Sequence, residues 1–396
     1  MEHSERRRLL GHPLPRRAGW SRRDLLRAVA VGGAAALTMP LIAPLRLLGG
    51  GFGCRCGGHT IHPPLVQAEE IVGGRTLRYM RFKPDQVYRD IEMPDFPFYV
   101  GIGDPDPYRR KRYYGCTTNR HGFRGPRDWS PEKPPGTFRI ACIGDGITFG
   151  EGVDDRLDFP YLLQDLLSET PGAPVLEVLN LGTPCRLTDE GVPFLEIVAA
   201  RFQVDFYFLI LGVNDALPMF LRPLPMYREA LDRLLGLAEA KGLACTVVRD
   251  PANTFFPEPA RYAEYSRAFA EVLGERFPLV DLPALLDVRE RWEGLRWEGN
   301  PDGLQRLVRY REGQPEVLVE AHRAPDTPQR PIAREIYEYL DANPVSCATF
   351  ITDCHLNEAG HRLAAAALRD HLAQRRPWAE DRAAPPAPAA PGPPGR

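Results

Sequence analysis

From residue 138 onward, short apolar runs alternate with segments of helical period, and this alternation constrains the fold more than any other feature. FRIACIGDG, APVLEVLNLG, VDFYFLILGVND, LACTVVRDP and PLVDLPALL read as strands. Between them DFPYLLQDLLSE, TDEGVPFLEIVAARF, MYREALDRLLGLAEAKG and RYAEYSRAFAEVLGERF repeat apolar residues at spacings of three and four, the period of a helix with one buried face. Thr188 stands where an N-cap would open the second of these helices. VDFYFLILGVND is the most continuous apolar run and suits a central strand covered on both sides. Five strands alternating with helices imply a parallel sheet wound on both faces, an α/β protein.

The rest of the chain divides around this block. Residues 51–137 are rich in Tyr, Arg, Asp and Pro without sustained periodicity, and predict an irregular lead-in layer packed on a main domain of 138–376. Within that domain 287–345 is a polar, Arg/Glu-rich insertion with one clear helix, PIAREIYEYLDA, placed to cover one end of the sheet. Residues 377–396 end in a proline-rich tail expected to be disordered. With 43% apolar and 26% charged residues the composition is globular, and a net charge of −2 gives no electrostatic reason to expect nucleic acid as partner.

Residues 1–50 carry a different signal. SRRDLLR, Ser21 to Arg27, precedes AVAVGGAAALTMPLIAPL, the pattern of a twin-arginine export signal or N-terminal anchor. Export would place the protein in the periplasm or outside the cell, reaching the membrane only through this segment. In such a compartment the eight cysteines (54, 56, 116, 142, 185, 245, 347, 354) could form bridges, although Cys142 and Cys245 sit in strand-like runs as small buried residues would. CRCGGHTIH brings Cys54, Cys56, His59 and His62 to ligand-like spacing, but with no second cluster it does not define a metal site.

In open α/β sheets ligands gather beyond the C-terminal ends of the strands. Asp145-Gly146, Asn180 to Cys185 and Asn214-Asp215 lie at three such ends, and Asp353 and His355 precede the last helix. Four convergent loops with an Asn, a His and carboxylates suit a hydrolase-like pocket. Asn and Asp at strand ends also cap helices, so a satisfied structural network fits the same pattern.

GDGITFGEGV, VLNLGTPC, LILGVND and DCHLNEAGH resemble, in order, the four blocks of the GDSL/SGNH hydrolases, and NRHGFRG with TFRI resembles the lead-in of many bacterial members. The likeness spans roughly residues 115–375. It implies a flavodoxin-like three-layer α/β/α fold with a five-stranded parallel sheet. It also implies hydrolysis of small-molecule or carbohydrate esters, without metal or organic cofactor. The family's first block reads Gly-Asp-Ser; its serine attacks the acyl carbon, a histidine takes the proton, and an aspartate three residues earlier orients the imidazole. Backbone N–H groups and the third-block Asn hold the oxyanion.

Carried onto this chain, the nucleophile slot falls on Gly146, which has no hydroxyl. Cys185 takes the last glycine slot of the second block. Asn214 and His355 match. Thr352 stands at the aspartate position, with Asp353 displaced by one. Asp145 is expected to tie the loop together and Thr148 to cap its helix. The fold further implies that Cys354 approaches Cys185 closely enough for a disulfide. The expectation is therefore a catalytically impaired ester-hydrolase relative that binds an acylated or carbohydrate ligand. The alternative is an active carbohydrate esterase or acyltransferase that uses Cys185 or an activated water with His355.

Overall fold

The computed structural model describes residues 55–56, 59–60, 62–94, 111–217, 220, 222–251, 259–286, 295–299, 303–311, 313–322, 333–342 and 355–379. The expected export segment, Thr352, Asp353, Cys354 and the proline-rich tail after 379 lie outside them.

The lead-in layer is more regular than its sequence suggests. β1 (Leu65–Val72) and β2 (Arg75–Phe82) form an antiparallel hairpin, as do β3 (Val87–Pro94) and β4 (Lys111–Thr117). Gly73 and Gly74, at φ 56° and 76°, make the two-residue turn of the first hairpin, which needs positive φ at both positions. The strand period is hidden in the sequence because β1 turns Glu70 inward, where it pairs with Arg201, and leaves Ile71 exposed.

Five parallel strands build the main sheet: β5 (Thr137–Gly144), β6 (Val175–Gly182), β7 (Phe206–Ile210), β8 (Cys245–Arg249) and β9 (Leu279–Asp281), in the order β9-β8-β7-β5-β6. All five strands predicted from the sequence are present. Every residue of β5 and β7 is buried, as expected of central strands covered on both faces.

Short turns α1 (Gly146–Phe149) and α4 (Val213–Ala216) follow β5 and β7. The longer helices are α2 (Phe159–Ser168), α3 (Thr188–Arg201), α5 (Leu224–Ala240) and α6 (Pro259–Leu273), with the five-residue α7 (Leu282–Leu286) after β9. In the insertion, β10 (Leu295–Gly299), β11 (Leu304–Arg311) and β12 (Gln314–His322) form a three-stranded antiparallel sheet before α8 (Arg334–Ala342). That sheet went unread because its strands mix charges such as the Arg306–Glu320 cross-strand pair into the apolar pattern. Helix α9 (Glu358–Arg375) closes the domain. It packs on α2 and α7, while α5 packs on both α3 and α6, giving two helical layers about the sheet. This is the three-layer α/β/α architecture, with the C-terminal ends of β5, β6 and β7 side by side.

Candidate active site

The site begins where β5 runs out. Asp145 caps α1, its Oδ1 accepting from the Ile147 N–H at 2.9 Å, so Asp145 and not Thr148 supplies the cap. Thr148 is buried, and its hydroxyl has no hydrogen-bond partner among the described residues. After one turn the chain leaves the helix through Gly150 in the left-handed region (φ 86°), and the Glu151 N–H returns to the Gly146 carbonyl at 3.0 Å. The turn therefore brings residue 151 back over residue 146.

Glu151 is the site residue that sequence reading missed. Its side chain is 3% exposed, and Oε2 lies 2.5 Å from Nε2 of His355. A Cβ built on Gly146 would stand 2.5 Å from Glu151 Oε2 and 3.0 Å from His355 Nε2. Gly146 thus leaves room for a carboxylate where a larger residue would start its side chain. The usable signal was in GDGITFGEGV itself: a glycine in the slot, and a carboxylate one helical turn and a left-handed glycine later.

Arg124, from the NRHGFRG element, fixes this turn. Its fully buried guanidinium donates to the carbonyls of Phe149 (2.8 Å), Gly150 and Val153 (2.6 Å), and its Nε lies 3.6 Å from Asp155 and 3.7 Å from Asp158. Asn180 of the second block joins the same network, donating to Asp158 Oδ1 at 3.0 Å and accepting from the Gly182 N–H at 3.0 Å.

On the opposite side Arg186 is buried and donates to the carbonyls of Gly144 (3.1 Å) and Leu181 (2.9 Å) and to the Thr183 hydroxyl. Asn214 donates its side-chain N–H to the Arg186 carbonyl at 3.1 Å. Thr188 is the first residue of α3 rather than its cap. Its N–H (3.0 Å) and hydroxyl (2.8 Å) both go to Asp215 Oδ2, and Leu187 holds the cap position.

Cys185 adopts φ 59°, a left-handed conformation that glycine takes more readily than a residue with a β-carbon. Its thiol lies 4.0 Å from Nε2 of the buried His62, an imidazole the sequence did not connect with it. Cys185 is not in a disulfide, which corrects the expected Cys185–Cys354 bridge. Among the described residues no group of three or more His, Cys, Asp or Glu is arranged to hold a metal ion.

The electrostatics follow from burial. Desolvation lifts Asp145 to about 7, with Glu151 adding to the rise; the Ile147 N–H, His355 and Arg186 oppose it. Burial likewise pushes Asp250, at the end of β8, well above the ordinary carboxylate range, and the neighbouring Asp145 adds to that. Arg186 is lowered to about 9 by burial against the pull of Glu190 and Asp145.

The slot after β5, the imidazole beside it and the loops at two neighbouring strand ends stand at one end of the sheet. The signature of the GDSL-like lipase/acylhydrolase family matches residues 142–363, more than half of the chain. The chain belongs to this family.

Solved structures give low similarity. A lipase/acylhydrolase from Enterococcus faecalis aligns at TM-score 0.38 and 17% identity, covering 60% of this chain and 96% of its own. The native aryl esterase of M. smegmatis aligns at 0.37 and 14%, covering 60% and 99%. A carbohydrate acetylesterase family member from Sinorhizobium meliloti aligns at 0.31 and 16%, covering 37% and 84%. No curated protein sequence matches the chain.

Proposed function

We propose that this protein is an exported member of the family that engages an acylated or carbohydrate ligand and has lost acyl-serine chemistry. One observation carries the reading: the space at residue 146 is bounded by the Glu151 carboxylate and His355 Nε2. An acyl-enzyme needs a nucleophilic atom at that point, with an imidazole lone pair free to take its proton. Here glycine supplies no such atom. With Glu151 ionised, Nε2 must carry a proton to bridge the 2.5 Å gap, so it is a donor and not the base of a serine triad.

The same carboxylate opposes an acyl-serine route in a second way. A tetrahedral intermediate places negative charge close to Glu151, and two like charges about 4 Å apart repel by roughly 4 kcal/mol at an effective dielectric near 20. Two donors that could hold an ester oxygen are present: the Gly146 backbone N–H and the second N–H of the Asn214 amide, whose first goes to the Arg186 carbonyl. Binding is therefore separable from the family's covalent step.

The test pairs two measurements on the full-length protein. A fluorophosphonate probe, which labels activated serines, should leave the protein unlabelled. Acetylated xylo-oligosaccharide should bind in titration calorimetry, and the Asn214→Ala variant should bind it more weakly. Labelling of any serine, or failure of acetylated ligands to bind, would defeat the reading.

A further inference from the structure

Glu151 offers more than an obstruction. Its Oε2 is taken up by His355, but Oε1 is buried and has no hydrogen-bond partner among the described residues. A buried acceptor left unsatisfied costs about 1–3 kcal/mol, more when charged, so the site favours whatever small donor reaches that oxygen. Water is the smallest. A water on Oε1 would sit beside a carboxylate able to accept its proton and an imidazole N–H able to give one. The two groups are already joined by a short hydrogen bond.

We propose that Glu151 and His355 form an acid–base pair that hydrolyses a small-acyl ester by single displacement, with water as nucleophile and no covalent intermediate. The inference rests on the reading that acyl-serine chemistry is lost and supplies the route that replaces it. The water oxygen forms the new bond to the acyl carbon and its proton passes to Glu151. The bond from the acyl carbon to the alcohol oxygen breaks, and His355 Nε2 protonates the departing oxygen. Transfer of a proton from the Glu151 carboxyl to the imidazole, across their 2.5 Å contact, then restores the pair. Atoms and charges balance without any further reactant.

The pair also sets the class of substrate. With Glu151 and His355 side chains only 3% and 11% exposed, the pair favours a small acyl group, and the smallest common one, acetyl, is the substrate to try first. Gly146 becomes a requirement of the mechanism, because a side chain there would collide with the base. The buried Asp145 next to the pair, raised to about 7, keeps a second carboxyl from adding its full negative charge below neutral pH.

The experiment uses full-length protein with phenyl acetate and ethyl acetate, and follows intact mass during turnover. Slow turnover of both esters is expected, with no acyl adduct on the protein. Glu151→Gln should lower kcat/KM by about 10²–10⁴-fold, the usual worth of a positioned general base. His355→Gln should cost ethyl acetate at least ~10-fold more than phenyl acetate, because only the alkoxide needs an acid to leave; a purely structural loss would affect both alike.

Turnover that survives in Glu151→Gln would overturn the inference. An acyl adduct on a side chain other than serine would overturn it too, and leave the loss of acyl-serine chemistry standing. An adduct on serine would overturn both. Acetylated ligand that binds the native protein without being hydrolysed would overturn only the inference. If Glu151→Gln melts well below the native protein, the adduct search and the leaving-group comparison still decide.

Discussion

The two halves of the site are held in different ways. On the oxyanion side, Asp215 Oδ2 receives two hydrogen bonds from Thr188, Asn214 is tied to the Arg186 carbonyl, and Arg186 reaches two carbonyls and a hydroxyl. On the nucleophile side, the backbone is fixed just as firmly by Arg124. Buried side-chain atoms without a hydrogen-bond partner among the described residues occur on both sides, Asp215 Oδ1 on the first and three on the second. Glu151 Oε1, Asp145 Oδ2 and the Thr148 hydroxyl are all buried with no hydrogen-bond partner among the described residues. Each such atom calls for an explanation, and the three of the second side all belong to the turn 145–151.

If the backbone of the nucleophile side is held chiefly by Arg124, removing that residue should have the largest effect. Arg124→Ala strips three carbonyls of their donor and leaves Asp155 and Asp158 without their cation, and should cost about 3–5 kcal/mol in urea unfolding. A loss under 1 kcal/mol would show that the loop holds itself.

The oxyanion side should show itself next, through pH. Burial raises Asp215 to about 6, against an ordinary value near 4. The folded state therefore binds this proton more tightly than the unfolded state. The stability it lends is complete below about pH 4 and lost as pH rises through about 6. Asp215→Asn should remove that slope, so between pH 4 and 6 the native protein should lose up to about 3 kcal/mol more than the variant. Parallel pH curves for the two proteins would mean that Asp215 titrates normally.

A smaller effect is expected at Cys185, whose backbone is left-handed. Cys185→Gly relieves a left-handed β-carbon and should leave stability unchanged or raise it by up to about 1 kcal/mol. A clear loss would mean that the His62 contact contributes more than the backbone strain costs. The exposed Arg78–Glu69 pair should be nearly silent, with Glu69→Gln changing stability by less than about 0.5 kcal/mol.

The sequence made the frame legible because apolar runs and helical spacing report burial directly. All five strands of the sheet were readable that way, whereas the meeting of Gly146 with the histidine that precedes the last helix was implied by the resemblance to the family. The lead-in hairpins were not, because an inward Glu70 and an outward Ile71 cancel the strand period. Glu151 was invisible for another reason. A motif fixes which residues lie near one another along the chain, whereas the return of Glu151 over Gly146 depends on a left-handed glycine and on a guanidinium from a separate element. The thiol of Cys185 shows the same limit, since its imidazole neighbour comes from the lead-in and not from the loop before α9.

The central claim is that Glu151, not a hydroxyl, is the hydrogen-bond partner of His355 Nε2. Proton NMR of the ¹⁵N-labelled imidazole tests it most directly. The account predicts a far-downfield, exchange-protected Nε2–H resonance for His355 that disappears in Glu151→Ala. The same resonance unchanged in Glu151→Ala, or absent from the native protein at neutral pH, would contradict it.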